Sequence, residues 1–194
     1  MSLEQNDDNE LAIAAQSGDR DAYAELVRRH QDRIYRVAYR VTGDREAAFD
    51  VAQDVFVKAY QSLARWRPTG SFPSWLLRMA SNAAIDHVRK RTRHRPDRLA
   101  DEVRRRPRAR HWLGDGDEVT AREVRRREID ERVGEALEAL SPTQRQVFVL
   151  RHYEGMQMAE IATVLESSEG SVKVHLFRAL RKLRPLLADL VEEE

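Results

Sequence analysis

Hydrophobic residues recur along most of this 194-residue chain at intervals of three and four, the spacing of one face of an α-helix. No segment alternates apolar and polar residues with a period of two, as a half-buried strand would. The pattern predicts an all-α protein with two small helical domains joined by a flexible charged linker. We place the first domain at residues 9–95, the linker at 96–122 and the second domain at 123–190.

Four helices are predicted in the first domain from capping residues and glycine stops. They run from Leu11 to Gln16, Asp19 to Gly43, Asp44 to about Trp66, and Trp75 to about Arg93. The segment between the third and fourth helices, residues 67–74, contains two prolines and a glycine and is therefore predicted to be a loop.

Three more helices are predicted between residues 140 and 187. Ser141, Pro142 and Gln144 match the cap, first position and capping box of the first of them, which ends near Gly155. A short helix follows over residues 158–165, and Ser168 is placed to cap the last. This last pair of helices has the proportions of a helix-turn-helix.

The last helix has two distinct sides. One carries a stripe predicted to be buried: Val172, Leu176, Ala179, Leu180 and Leu183. The other carries polar and cationic residues suited to the major groove and its phosphates, with Glu169 at the start of the helix: Ser171, Val174, His175, Arg178 and Lys182, flanked by Lys173 and Arg181. The alternative interpretation is a solvated amphipathic helix in a bundle.

The fourth helix carries a second pattern typical of nucleic-acid binding, with aromatics at its start and cations at its end. Its aromatics are Trp66, Phe72 and Trp75, and its cations are Arg89, Lys90, Arg91, Arg93 and Arg95. Asn82 lies between them and has the hydrogen-bonding groups to read a base edge. In the alternative interpretation Trp75 packs in the core and the cations are a solvated helix end, whereas Phe72, in the predicted loop, is expected to be exposed.

Charge and composition narrow the class of protein. The formal net charge is only +1, yet residues 89–110 are strongly basic and both ends of the chain are acidic. The absence of cysteine excludes disulfides and thiolate metal sites. No apolar run approaches the roughly 18 residues of a membrane span, and the acidic N-terminus is unlike a signal peptide. We expect a cytoplasmic protein without membrane insertion. Trp112 and Leu113 in the linker are either an anchor for a partner or a chance apolar pair.

The order of these motifs resembles that of bacterial extracytoplasmic-function (ECF) sigma factors, of the RNA polymerase sigma-70 family. The resemblance covers nearly the whole chain outside the termini and the linker. It is carried by four segments in order: DAYAELVRRHQDRIYRVAYRVTGD, FDVAQDVFVKAYQSLARW, SFPSWLLRMASNAAIDHVRKRTR, and the run from LSPTQRQVFVLRHYEG to the last helix, EGSVKVHLFRALRKLR.

The resemblance implies partners and site residues. It implies binding to core RNA polymerase, to the β′ clamp helices through Asp50, Gln53, Asp54, Phe56 and Val57 and also to the β subunit. It implies recognition of the melted −10 element by the segment with Phe72, Trp75, Asn82, Arg89, Lys90 and Arg91, where Phe72 and Asn82 hold a flipped base. It implies readout of the −35 duplex by Glu169, Ser171, Lys173, Val174, His175, Arg178 and Lys182. Many relatives are held by an anti-sigma factor, and a regulator of this kind is expected here.

The chain departs from the family pattern at four positions. Glu166 stands where the turn usually has glycine, Ser167 replaces an apolar residue, His175 an arginine and Phe49 an acidic residue. A glutamate in the left-handed conformation costs on the order of 1 kcal/mol. These departures predict that the promoter need not be a common one.

Two other functional classes remain as alternatives. An enzyme is disfavoured because the six histidines have no metal-site spacing and because the chain lacks a phosphate loop or a nucleophile elbow. Accordingly we expect no catalytic residue, metal or cofactor. A stand-alone helix-turn-helix regulator would need a dimer interface but neither the Asp50 to Phe56 nor the Phe72 to Asn82 element.

Overall fold

The computed structural model describes residues 7–68, 70–94 and 132–188, together with residues 125 and 129. It contains α1 (Asp8–Gln16), α2 (Arg20–Thr42), α3 (Arg45–Ser62), α4 (Phe72–His94), α5 (Pro142–His152), α6 (Met158–Val164) and α7 (Glu169–Leu183). Within these ranges no residue is in a β-strand, so the prediction of an all-α fold with an N-terminal group (α1–α4) and a C-terminal group (α5–α7) is confirmed. The predicted linker, with Trp112 and Leu113, lies outside the described residues.

The helix ends follow the local sequence signals. Asp19, Asp44 and Ser168 each accept a hydrogen bond from a backbone N–H of the helix they precede, and Ser141 forms the predicted capping box with Gln144. Gly43 ends α2 in the left-handed conformation, with φ of 67°. These contacts satisfy backbone groups that the first and last turns of a helix leave unpaired.

The predicted bounds of two helices were wrong. The α-helical part of α3 ends at Ser62, and a single 3-10 turn, Leu63–Arg65, follows it. The start of α4 is at Phe72 and not at Trp75, so the predicted loop is shorter by three residues. The hydroxyl of Ser71 accepts from the backbone N–H of Ser74 at 3.3 Å, which provides a helix start that the prolines on either side had obscured.

The turn between α6 and α7 contains a residue with unusual backbone geometry. Glu166 has φ of 49° and is the one non-glycine residue with positive φ in the described part of the chain. The left-handed conformation foreseen for this position is therefore present, and a side chain with a Cβ atom adopts it at a cost in free energy.

The two helical groups pack against each other. α5 contacts both α2 and α4, and α6 contacts α4. Buried apolar residues from both groups form one continuous core. In the described part of the chain no helix has the length and apolar character needed to cross a lipid bilayer.

Candidate polymerase and nucleic-acid interfaces

The outward side of α3 carries the residues predicted to bind a protein partner. Asp50, Gln53, Asp54 and Val57 are all exposed, whereas Val51 and Val55 and the alanines between them are buried against the core. The only printed partner of Asp54 is the ammonium group of Lys58 at 3.9 Å, one turn along the same helix. Because both side chains of this pair are well exposed, the pair contributes little to stability and leaves Asp54 available to a partner.

Phe56 lies at the edge of this surface and is half-buried. Its carbonyl oxygen accepts a hydrogen bond of 2.5 Å from the hydroxyl of Tyr23 on α2. Burial raises the pKa of Tyr23 to about 12. The bond fixes α3 against α2 at the level of the predicted binding residues.

Large apolar side chains are exposed on the same side of α3. Phe49 and Val57 are each 56% exposed, and Tyr60, which the sequence pattern assigned to the buried side, is 48% exposed. Positions 49, 53, 57 and 60 fall on one helical face. We call this the α3 face: Phe49, Asp50, Gln53, Asp54, Val57 and Tyr60. A contiguous apolar surface on a soluble protein marks an interaction site.

The expectation that Phe72 is exposed was wrong. Its side chain is 1% exposed, and its ring centroid lies 5.9 Å from that of Trp66 and 5.6 Å from that of Trp75. A Phe ring at the first residue of a helix removes more apolar area from water by packing on two tryptophans than it would by remaining in a loop. Trp75 is itself half-buried and packs on the core, so the core interpretation of Trp75 holds in this conformation.

Further along α4, three of the predicted DNA-binding side chains face outward. Asn82, Arg89 and Lys90 are exposed. Arg91 is half-buried, and its guanidinium lies 3.4 Å from the carboxylate of Asp44, which caps α3. The side chains of Arg93 and Arg95 lie outside the described residues.

The N-terminal half of α7 carries most of the residues predicted to read duplex DNA. Lys173, Val174 and Arg178 are exposed, Ser171 is half-buried, and Lys173 lies 3.6 Å from Glu169. Lys182 donates to the carbonyl of Ala139 at 3.3 Å. Of the predicted stripe, Val172, Leu176, Ala179 and Leu183 are buried, but Leu180 is 43% exposed. The placement of Leu180 in the stripe was therefore wrong, because its position is at the edge of the buried arc.

The outermost side of α7 includes two residues that the sequence analysis did not place there. Phe177 is 65% exposed, and Arg181, which was treated as a flanking residue, is also exposed. With Val174 and Arg178 they form the side opposite the buried stripe. An exposed phenylalanine between two arginines of a DNA-reading helix could have been noticed from the sequence by its distance from the apolar stripe.

His175 is turned away from this outer side. It is half-buried, and its Nδ1 atom is buried without a hydrogen-bond partner among the described residues. Together with Ser167 and Gln146 it lines a crevice of about 310 Å³, whose opposite wall is formed by Asn82, Asp86 and Arg89 of α4. The structure thus brings together Asn82 and His175, which the sequence analysis assigned to two different DNA elements.

Nothing in the described residues suggests a metal centre, since no three or more His, Asp or Glu side chains there form a group able to hold a metal ion. The candidate sites are therefore surfaces that recognise macromolecules.

Comparison with known proteins assigns both helical groups. Residues 26–94 match the family model for Sigma-70 region 2, and residues 130–183 match that for Sigma-70, region 4. The chain is 34% identical over 192 residues to RNA polymerase sigma-H factor of Pseudomonas aeruginosa, covering 98% of this chain and 99% of that one. It is 34% identical to ECF RNA polymerase sigma factor SigE of Mycolicibacterium smegmatis, covering 91% and 67% of the two chains.

A solved structure has the same fold. CnrH in complex with the cytosolic domain of CnrY superposes with a TM-score of 0.67 at 29% identity, covering 94% of this chain and 97% of that one. The expected absence of enzymatic activity accords with these matches, because sigma factors are transcription initiation factors and not enzymes. From the helix-turn-helix, the helical groups that carry it, and the two matched regions, we conclude that this chain belongs to the ECF sigma factors of the RNA polymerase sigma-70 family.

Proposed function

We propose that this sigma factor binds the β′ clamp helices of core RNA polymerase through Asp50, Gln53, Asp54, Phe56 and Val57 on α3. The observation that carries this proposal is the exposure of the α3 face, which combines carboxylates and apolar side chains and is not covered by the C-terminal group. A mixed surface of this kind gives a partner both apolar area to bury and charges that set orientation.

Charge reversal at Asp54 tests the proposal. We expect Asp54→Arg to weaken binding of purified core polymerase while the fold survives, because exposed helical sites change stability little. Asp32→Arg is the matched control, since Asp32 is exposed on α2 and outside the α3 face. Equal affinities of the two folded variants for core polymerase would refute the assignment.

For the −10 element we propose that Asn82 reads a base of the melted strand, and that Arg89, Lys90 and Arg91 hold its phosphates. The support is their position on α4: Asn82 and the first two cations are exposed. Phe72 and Trp75 act in this proposal by packing, because the Trp66–Phe72–Trp75 cluster holds the start of α4 in place. Binding unpaired bases in preference to paired ones would help to melt the promoter.

For the −35 element we propose that α7 enters the major groove. Val174, Phe177 and Arg178 present apolar and cationic groups on the outer side, and apolar side chains recognise thymine methyl groups in this groove. Glu169, Ser171, Lys173, His175 and Lys182 flank this side and complete the set of contacts. Phe177 is an addition to the residues expected from the sequence.

We further propose the organisation of the full factor and its place in the cell. The two domains comprise residues 9–95 and 123–190, and both family matches fall within these bounds. The linker, residues 96–122, would run through the polymerase toward the RNA exit path, and the second domain would also meet the β subunit. Its work on polymerase and promoter DNA places the protein in the cytoplasm.

Control by an anti-sigma factor is also proposed. CnrH, which shares the fold, was solved with the cytosolic domain of another protein, CnrY, and the exposed α3 face offers this chain an equivalent opportunity. An anti-sigma factor that covers this face should compete with core polymerase. Simultaneous binding of core polymerase and such a partner to one sigma factor would contradict the proposal.

A further inference from the structure

The side of α4 that is proposed to bind the −10 strand is also the side on which the C-terminal group packs. Arg78, Asn82, Asp86 and Arg89 follow each other at helical spacing along this side. Asn82, Asp86 and Arg89 form one wall of the crevice, whose other wall includes Gln146, Ser167 and His175. A single strand that follows α4 past Asn82 would have to occupy space that α5 and the turn between α6 and α7 now fill.

Charged side chains hold this arrangement at its two edges. At one edge, the guanidinium of Arg33 on α2 lies 2.6 Å from the carboxylate of Glu154, which is 6% exposed, and Arg40 lies over the ring of Tyr153 at 3.8 Å from its centroid. At the other edge, Arg78 of α4 pairs with Glu166 in the turn before α7. Close cation–carboxylate hydrogen bonds are stronger and more directional than neutral ones.

A buried contact lies between these edges. The guanidinium of Arg145 on α5 donates to the carbonyl of Leu137 in its own group at 2.8 Å and to the carbonyl of Val41 at the end of α2 at 3.0 Å. The side chain of Arg145 is buried, so opening this contact would leave carbonyl groups to be solvated again. The packing therefore uses specific polar contacts as well as apolar area.

Glu166 connects the packing to the geometry of the helix-turn-helix. It occupies the left-handed conformation, with φ of 49°, which glycine would adopt without strain. A strained residue in a turn persists when other interactions favour it, and the pair with Arg78 is such an interaction. Glycine at this position could form the turn but could not form the pair.

The α3 face is unaffected by this packing, because the C-terminal group contacts α2 and α4. The proposed polymerase-binding surface is thus accessible in the same conformation in which the −10 surface is covered. We propose that the contacts Arg33–Glu154, Arg145–Val41 and Arg78–Glu166 form an autoinhibitory latch that blocks single-strand binding by α4 until the two helical groups separate. This inference rests on the proposed roles of α3 and α4, and it implies that polymerase binds before the −10 strand does.

Crosslinking the two groups in the full chain tests the latch. The natural chain contains no cysteine, so Arg78→Cys/Glu166→Cys introduces the only two thiols, which a short bis-maleimide can join. The same protein capped with N-ethylmaleimide is the control, since it carries the same substitutions. The readouts are affinity for core polymerase and, in the free protein, affinity for a fluorescein-labelled single-stranded DNA of randomised sequence.

We expect the crosslinked protein to bind core polymerase as the capped protein does and to bind the single strand at least about tenfold more weakly, because the cationic side of α4 is covered. Equal single-strand affinities, or failure of the two thiols to crosslink, would overturn the latch. Loss of polymerase binding only on crosslinking would overturn the proposed order of events. Failure of the capped protein to bind polymerase would instead count against the proposed function.

A milder variant tests the latch without a crosslink. Glu166→Gln removes the charge of the pair but keeps the shape of the side chain, and Glu135→Gln makes the same charge change at an exposed site outside the described contacts between the two groups. We expect Glu166→Gln to bind the single strand about two- to fivefold more tightly than Glu135→Gln does, the range for loss of an exposed ion pair. Equal affinities of these two variants would show that Glu166 does not hold the closed form.

Discussion

The side-chain oxygen of Asn9, on α1, accepts a hydrogen bond of 2.8 Å from the backbone N–H of Phe72, the first residue of α4. The two residues are 63 positions apart, so a helix start is capped here from a distant part of the chain. The contact explains why α4 begins where the sequence between two prolines suggested a loop.

Removal of this cap should destabilise the N-terminal group. We expect Asn9→Ala to lower the free energy of unfolding by about 1 kcal/mol, the usual cost of losing a helix cap. Asn9→Asp should keep most of the stability, because a carboxylate can accept the same bond and interacts favourably with the N-terminus of a helix. Urea unfolding of the three proteins measures the effect, and equal stability of Asn9→Ala and the natural chain would show that the contact contributes nothing.

Asn82 and Phe72 should respond differently to truncation. Asn82→Ala is expected to preserve fold and duplex −35 binding but to impair promoter opening by roughly 10- to 100-fold, since a base-specific contact is worth about 1–3 kcal/mol. Permanganate reactivity of thymines on a mapped promoter measures opening. Normal reactivity in Asn82→Ala would refute a base-reading role.

The burial of Phe72 changes what its truncation can report. Phe72→Ala should cost about 3–5 kcal/mol of stability, the range for removing a buried aromatic side chain. Thermal unfolding measures this loss. A stable Phe72→Ala protein would contradict the packing of Phe72 on Trp66 and Trp75.

Lys173 and His175 on α7 are expected to play different roles in −35 recognition. Lys173 is exposed and should contact phosphate, so Lys173→Ala should weaken binding to all sequences and reduce the salt dependence by about one unit of slope. His175→Ala should relax preference at one or two base pairs, by roughly 1–3 kcal/mol at the position read. His175 must first leave the crevice, which ties this readout to separation of the two groups.

Binding of each variant to a duplex library randomised across the −35 element, at two salt concentrations, separates these roles. Loss of base preference in Lys173→Ala together with full preference in His175→Ala would mean that the two roles are reversed. If neither variant changes binding, α7 is not the reading helix.

Tyr23 predicts a pH dependence of stability. Its pKa is raised to about 12 in the folded protein, chiefly by burial, against about 10 in the unfolded chain. The folded state thus favours the neutral phenol, so this contribution to stability is complete below pH of about 10 and is lost as pH rises through about 12. Tyr23→Phe should lose the hydrogen bond to Phe56, about 0.5–1.5 kcal/mol, and should show a smaller fall in stability above pH of about 10 than the natural chain does. Parallel alkaline unfolding curves would show that Tyr23 is not the group responsible.

The sequence by itself determined the local structure of this protein and its family. Capping by Asp19, Asp44, Ser141 and Ser168 depends on atoms within three residues along the chain, so it was predictable without knowledge of packing. The positions of the helix-turn-helix and of the outward polar side of α3 followed from helical periodicity for the same reason. Even the left-handed conformation of Glu166 was foreseeable from its place in a short turn.

Tertiary structure alone decided which of the candidate residues face solvent and which face each other. Phe72 became a core residue because Trp66, Trp75 and Asn9 meet it from other parts of the chain, and Leu180 remained exposed because no neighbouring element covers the edge of its stripe. The approach of His175 to Asn82 depends on contacts such as that of Arg145 with Val41, which are 104 positions apart. Such contacts leave no periodic signal in the sequence, because they depend on how completed helices dock and not on the conformation of any one of them.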